Sequence, residues 1–213
     1  MPPHSSIIHG LASTIQTHRF GETQLQLWVP NHPNDLLDAM QEEDFGPEER
    51  MPYWAALWPS ALGLAQEMAT NPPNNGAKVL ELGCGLGLNG VLAARLGAEV
   101  HVCDWYDDAV AFALENAALN NVAVQGRWMD WNHPPQDAQY DWVLGADILY
   151  EQRNHAPILA ALEALLKPNG QALLSDPGRT HLPHFITMAK TQGWTLEESL
   201  QGKVHVLRLR RNP

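Results

Sequence analysis

The sequence predicts an α/β fold, a doubly wound, mostly parallel sheet of seven strands carrying an N-terminal hairpin and helix extension. Three observations support this. From Lys78 onward, short apolar runs alternate with helix-period segments, the pattern of a parallel sheet covered on both faces. The first of those runs leads into a glycine-rich turn that opens a helix, LELGCGLGLNG at 80–90. The last two runs are separated only by Gln201-Gly202 and should close the chain as an antiparallel hairpin.

In chain order, STIQTHRFGETQLQLWV (13–29) alternates apolar and polar residues around Gly21-Glu22, which reads as a β-hairpin, and NDLLDAMQEED reads as a short acidic helix. These make up the extension, residues 1–50. The main domain spans 51–213. Trp54, Trp58 and Pro59 precede a helix of about ten residues that stops at the Pro/Asn-rich stretch 71–76. Strands follow at 78–82, 99–103, 122–128, 140–146 and 171–176, with helices near 87–96, 107–119, 155–166 and 181–192. WTLEESL and KVHVLRLR form the closing hairpin. In such a sheet the carboxyl ends of the parallel strands share one edge, where ligands bind. Acidic or polar residues follow strand after strand, at Asp104, Asp130-Trp131, Asp147 with Tyr150, and DPGR (176–179), so all should meet in one cleft.

Composition narrows the function. With 213 residues and 45% hydrophobic content there is room for one well-buried domain, and no apolar run approaches the ~20 residues of a membrane span. Asp and Glu outnumber Lys and Arg 24 to 13, so the chain lacks the basic footprint of a nucleic-acid binder, and a cationic or protein substrate suits it better. Cys84 and Cys103 fit no metal spacing and read as small buried residues in a reducing compartment. The N-terminal run lacks the basic start and long apolar core of a secretory signal, and Arg19 alone gives a transit peptide little support. A cytoplasmic location is the expectation.

The glycines match the dinucleotide fingerprint in one frame, Gly85-Leu-Gly87-Leu-Asn-Gly90, but a single such match is weak evidence. The fuller pattern is Glu81-x-Gly83-x-Gly85-x-Gly87 with Asp104 ending the next strand. It resembles motif I of the seven-strand, Rossmann-like methyltransferases that use S-adenosyl-L-methionine (SAM). PYWAALWPSA (52–61) and GADILY (145–150) narrow the resemblance to the protein lysine methyltransferases often called family 16, and DPGR is similar to the members that act on the electron-transfer flavoprotein β-subunit.

The resemblance implies SAM as cofactor and a protein lysine as methyl acceptor, the electron-transfer flavoprotein β-subunit being one candidate. It implies cofactor contacts from Trp54, Trp58, Glu81, Gly83, Gly85, Gly87, Asp104, Asp130, Trp131 and Ala146. It places Asp147 and Tyr150 at the methyl-transfer site and Asp176 and Arg179 on the side of the protein substrate. Other readings stay open: a histidine or small-amine acceptor, a SAM-binding module without turnover, and an NAD-dependent oxidoreductase. Three further motifs carry less. NPPN at 71–74 precedes motif I, whereas the Asn-Pro-Pro-Tyr motif it resembles follows the fourth strand. HLPH (181–184) has no accompanying carboxylate and contains Pro183, so no metal is expected there. Arg208, Arg210 and Arg211 read as a solvated strand end.

Overall fold

The computed structural model describes residues 5–34, 36, 52–136 and 140–211. Two sheets are present among them. The smaller joins β1 (Ser5–Ile8), β2 (Leu11–Phe20) and β3 (Thr23–Pro30) in antiparallel order β1-β2-β3. The hairpin expected at 13–29 is therefore β2–β3, turning at Gly21-Glu22, and β1 is an addition. The expected acidic helix falls almost entirely outside the described residues.

The larger sheet has seven strands, β4 (Lys78–Leu82), β5 (Glu99–Asp104), β6 (Val124–Trp128), β7 (Tyr140–Ala146), β8 (Leu166–Asp176), β9 (Trp194–Gln201) and β10 (Val204–Arg211), in the order β6-β5-β4-β7-β8-β10-β9. The first five are parallel, and β10 runs antiparallel to both β8 and β9. Consecutive residues within the strands serve opposite faces. Val79, Leu144, Leu173 and Val206 enter one core, while Leu80, Val143, Leu174 and Leu207 enter the other. This period of two, apolar on both sides, is what requires helices on both faces. The first face is covered by α1 (Pro59–Thr70), α2 (Leu88–Arg95) and α3 (Asp107–Leu119), through Leu64, Leu92 and Phe112. The second is covered by α4 (His155–Leu165) and α5 (Leu182–Thr191), through Ile158, Leu162 and Phe185. Each fully buried Leu or Phe contributes about 1.5–3 kcal/mol.

The small sheet belongs to the first core, since Phe20, Leu25, Leu27 and Val29 pack with Leu92 and Phe112. Among the described residues the edge of β3 has no strand partner beyond β2. Asn116 of α3 and Asn120 just past its end serve instead: Trp28 N donates to Asn116 Oδ1 (2.7 Å) and Gln26 N to Asn120 Oδ1 (3.0 Å), and both amides donate back to the carbonyls of the same residues. Asn116 also donates to Leu86 O (2.9 Å), tying the small sheet to the glycine turn.

β8 starts five residues before the expected Gln171, because Leu166 pairs with Tyr140 across an irregularity in register. Pro168, Asn169 and Gly170 suggest a turn in sequence, but the bulged pairing accommodates them. No helix among the described residues is long and apolar enough to cross a membrane.

Candidate active site

A cavity of about 670 Å³ opens at the carboxyl ends of β4, β5 and β7, where the strand order reverses about β4. Its size suits a small-molecule site. Of the residues expected to form the site, Trp54, Trp58, Glu81, Gly83, Gly85, Asp104, Trp131, Ala146, Asp147, Tyr150 and Arg179 line it, while Gly87, Asp130 and Asp176 do not.

The floor is the turn between β4 and α2. Gly83, Gly85 and Gly87 all have positive φ, at 66, 49 and 77°. A Cβ on Gly85 would stand 3.1 Å from the Trp54 carbonyl oxygen, so this glycine also lets the 53–55 turn lie close over the loop. Gly87 serves another purpose. A Cβ there would meet Ala113 Cβ at 2.6 Å, so Gly87 permits α3 to approach and is a packing residue.

Glu81 is almost fully buried, with Oε2 accepting from Gly90 N (2.8 Å) and Oε1 from the Asn89 amide (3.1 Å). It therefore caps the start of α2, although it also forms part of the cavity wall. Burial pushes its carboxyl up to about 7, against the hydrogen bonds from Gly90 and Asn89.

Asp104 ends β5, and its Oδ2 accepts from Gly85 N (3.0 Å) and its Oδ1 from Tyr106 N (3.1 Å). Burial raises its pKa, again opposed by those N–H groups. The backbone bonds fix the carboxylate, which has acceptor capacity for further donors such as a pair of ribose hydroxyls. Trp105 and Tyr106 line the cavity beside it. Trp131, which also lines the cavity, has a buried Nε1 without a hydrogen-bond partner among the described residues. Asp130 shapes that wall from behind, accepting from Asn132 N (3.0 Å) and meeting His133 Nδ1 at 3.0 Å.

An apolar wall of indoles, a fixed carboxylate and a glycine floor together fit an adenosyl group carrying a methionine arm. Asp104→Ala should weaken SAM binding about ten- to 150-fold, the equivalent of roughly 1.5–3 kcal/mol for hydrogen bonds to a charged group. Unchanged affinity in calorimetry would remove Asp104 from the ribose.

The opposite wall is aromatic. Tyr53 meets Trp58 and Tyr150 edge-on, with ring centroids 6.1 Å apart in both cases, and Trp58 Nε1 donates to Tyr53 O (3.0 Å). Trp54 is buried against Phe112. Tyr53 escaped the sequence reading, although it lies inside the PYWAALWPSA segment.

Asp147 also lines the cavity, with φ at 62° and its N–H donating to Ser175 O (2.9 Å), so that it extends the β7–β8 pairing in a left-handed conformation uncommon for a residue other than glycine. Its Oδ1 accepts from Arg179 Nη1, and its Oδ2 is buried with no donor among the described residues. Arg179 Nη1 also reaches Asp176 Oδ2 (3.1 Å). Asp176 is fully buried and takes the N–H groups of Gly178 (2.8 Å) and Arg179 (2.7 Å) on Oδ1. Of the two residues expected on the protein-substrate side, Arg179 lines the cavity and Asp176 does not. Asp176 has no surface to offer a partner, and Arg179 is tied down by two carboxylates.

The loop carrying Asp147 and Tyr150 is held from below by His155. This histidine is fully buried; its Nε2 lies 3.1 Å from Leu149 O and its Nδ1 3.1 Å from His184 Nδ1. A carbonyl can only accept, so Nε2 carries the proton and Nδ1 accepts from His184. HLPH thus supplies a strut between the α4 and α5 starts.

Residues 50–192 match the model of a family described as lysine methyltransferase. The chain is 34% identical over 131 residues to the electron transfer flavoprotein beta subunit lysine methyltransferase of Danio rerio, covering 60% of this chain and 51% of that one. It is 31% identical over 167 residues to the protein N-lysine methyltransferase METTL21A of Xenopus tropicalis, covering 72% of this chain and 76% of that one. It therefore spans about half the length of the first of these relatives and three quarters of the second. The T. thermophilus 16S rRNA N2 G1207 methyltransferase (RsmC), solved with AdoMet and guanosine, superposes with a TM-score of 0.67 at 16% identity over 93% of this chain and 50% of that one, a likeness of fold.

Proposed function

The chain belongs to the lysine methyltransferase family, and on that premise we propose that it transfers a methyl group from SAM to a lysine side-chain amine of a protein. The observation that carries this reading is that one cavity is lined by Asp104 at the end of β5, by Asp147, and by the aromatic rings of Tyr53, Trp58 and Tyr150 packed edge to edge. A carboxylate on the wall attracts a lysine nitrogen, and its approach past aromatic faces is favourable while it is charged.

When bound, SAM supplies a methyl group on a sulfonium, and the carbon–sulfur pair returns to sulfur as methyl leaves. Asp104 would hold the ribose, Trp131 and Trp105 would border the adenosine, and the Gly83–Gly85 floor would lie under the methionine arm. Asp147 orients the acceptor nitrogen and stabilises the positive charge that grows on it, and Tyr150 borders its path. The Asp104 carboxylate on the cavity wall suits a cationic cofactor.

The electron-transfer flavoprotein β-subunit is the acceptor we propose to test first, on the strength of the DPGR turn and the Danio rerio relative. The free, buried Cys84 and Cys103 suit a reducing, cytoplasmic setting. Incubation with labelled SAM and cell extract, with and without added electron-transfer flavoprotein, followed by mass spectrometry, tests the reading. Label on a protein lysine is expected. Label confined to histidine or to small amines, or cofactor binding without S-adenosylhomocysteine formation, would overturn it.

A further inference from the structure

We propose that Asn116 makes the small N-terminal sheet part of the cofactor site, one buried amide holding both β3 and the cavity floor so that closure of the sheet and binding of the cofactor are coupled. The inference rests on the cofactor site of the preceding section and is independent of which amine accepts the methyl group. Leu86 lines the cavity between Gly85 and Gly87, two glycines of positive φ. Glycine is the most permissive residue, so such a turn takes its shape from what holds it from outside. β5 supplies part of that hold, through Cys84 N donating to Cys103 O (2.9 Å) and Gly85 N to Asp104 Oδ2 (3.0 Å). A further hold comes from α3, where Asn116 Nδ2 donates to Leu86 O (2.9 Å).

Both N–H groups of that amide are thereby spent, because the second goes to Trp28 O (3.2 Å), while its oxygen accepts from Trp28 N (2.7 Å). The position is fully buried, so a lost partner leaves a polar group unpaired at a cost. Lifting β3 away strips the amide of its two bonds to Trp28 and frees it to turn, which slackens its grip on Leu86 O. Loosening the turn releases the amide in the same way, and Trp28 with it. Asn120 extends the arrangement along the same edge, its Nδ2 donating to Asn116 O (2.7 Å) and to Gln26 O (2.6 Å). A cofactor resting on the glycine turn narrows the conformations of that turn and so tightens β3; by reciprocity, a closed β3 raises cofactor affinity by the same factor. Asn116 does not line the cavity, so it is a positioning residue that acts through Leu86.

Hydrogen exchange tests this, since the Trp28 N–H is bonded to Asn116 and reports opening of that edge. Exchange is followed by NMR with and without saturating S-adenosylhomocysteine, and amides of the β9–β10 hairpin, at the other end of the strand order from β6, measure general stabilisation. In wild type the ligand should slow Trp28 about fivefold or more beyond that hairpin. In Asn116→Ala the excess should vanish, and the Kd for S-adenosylhomocysteine, by calorimetry, should rise by a comparable factor. Asn116→Asp, which keeps an acceptor for Trp28 N but has no amide N–H for Leu86 O, should lose the excess as well. A residue that only stabilised the fold would lower the melting temperature without making exchange at Trp28 depend on the ligand. Wild type with no excess slowing at Trp28 overturns the proposal, whether or not either variant folds. Equal excess in wild type and Asn116→Ala also overturns it and leaves the cofactor site standing. No binding of S-adenosylhomocysteine by wild type overturns the cofactor site itself and the proposal with it.

Discussion

Asp147→Asn is expected to lower turnover by roughly 10²–10³-fold, about 2.7–4 kcal/mol on the scale of a lost oxyanion-hole donor, while SAM affinity changes little. The substitution preserves shape, and asparagine also tolerates the left-handed backbone that Asp147 adopts. What it removes is the charge opposite the nitrogen on which positive charge develops. At pH 7 a lysine with a reference pKa of about 10.4 lies about 4.6 kcal/mol from its neutral form, so wild-type kcat/KM should climb from pH 7 toward pH 9. In the asparagine variant Arg179 is opposed only by Asp176, and the bound amine sheds its proton more easily. Its kcat should therefore be lower but flatter with pH. Tyr150→Phe keeps the ring against Tyr53 and should lose only the hydroxyl, for about 0.5–1.5 kcal/mol. Wild-type activity in Asp147→Asn at pH 7 would end the electrostatic assignment.

The parts of the site legible in sequence are those set by position along the chain. Gly83, Gly85, Asp104, Ala146 and Asp147 end or follow strands that a reading of the apolar periodicity places, and the parallel topology brings those strand ends together. Where two neighbours competed, sequence could not choose. Asp130 and Trp131 are adjacent, yet one folds back to hold Asn132 and the other lines the cavity. The direction of Glu81 was equally hidden, because the same residue can reach a ligand or the N–H groups of α2. The bonds from Asn89 and Gly90 decide it. Least visible was the Arg179 pair with Asp147, which joins residues 32 apart through turns after β7 and β8 and depends on side-chain direction. The strut of His155 and His184 was hidden for the same reason, and HLPH on its own reads only as polarity at a helix start.

Gly87→Ala should lower stability by about 2–5 kcal/mol, and the melting temperature by roughly 5–20 °C for a chain of this size. Two costs combine. The new side chain must adopt φ near 77°, where alanine is strained, and its Cβ would lie 2.6 Å from Ala113 Cβ and 3.0 Å from Ala113 Cα. The second of those neighbours belongs to the backbone of α3, so a rotamer change cannot relieve the contact. α3 must move, and with it Asn116, which holds both β3 and the Leu86 carbonyl. Gly87 lies off the cavity wall, so the fraction that folds should keep its cofactor affinity to within a few-fold, unlike Asp104→Ala. A cycle with Ala113→Gly separates the two costs. Removing that Cβ should recover part of the loss, although a glycine within α3 itself costs about 1 kcal/mol, and the conformational strain should remain. An unchanged melting temperature in Gly87→Ala, or no coupling to Ala113→Gly, would mean that the third glycine of the turn is not there to admit α3.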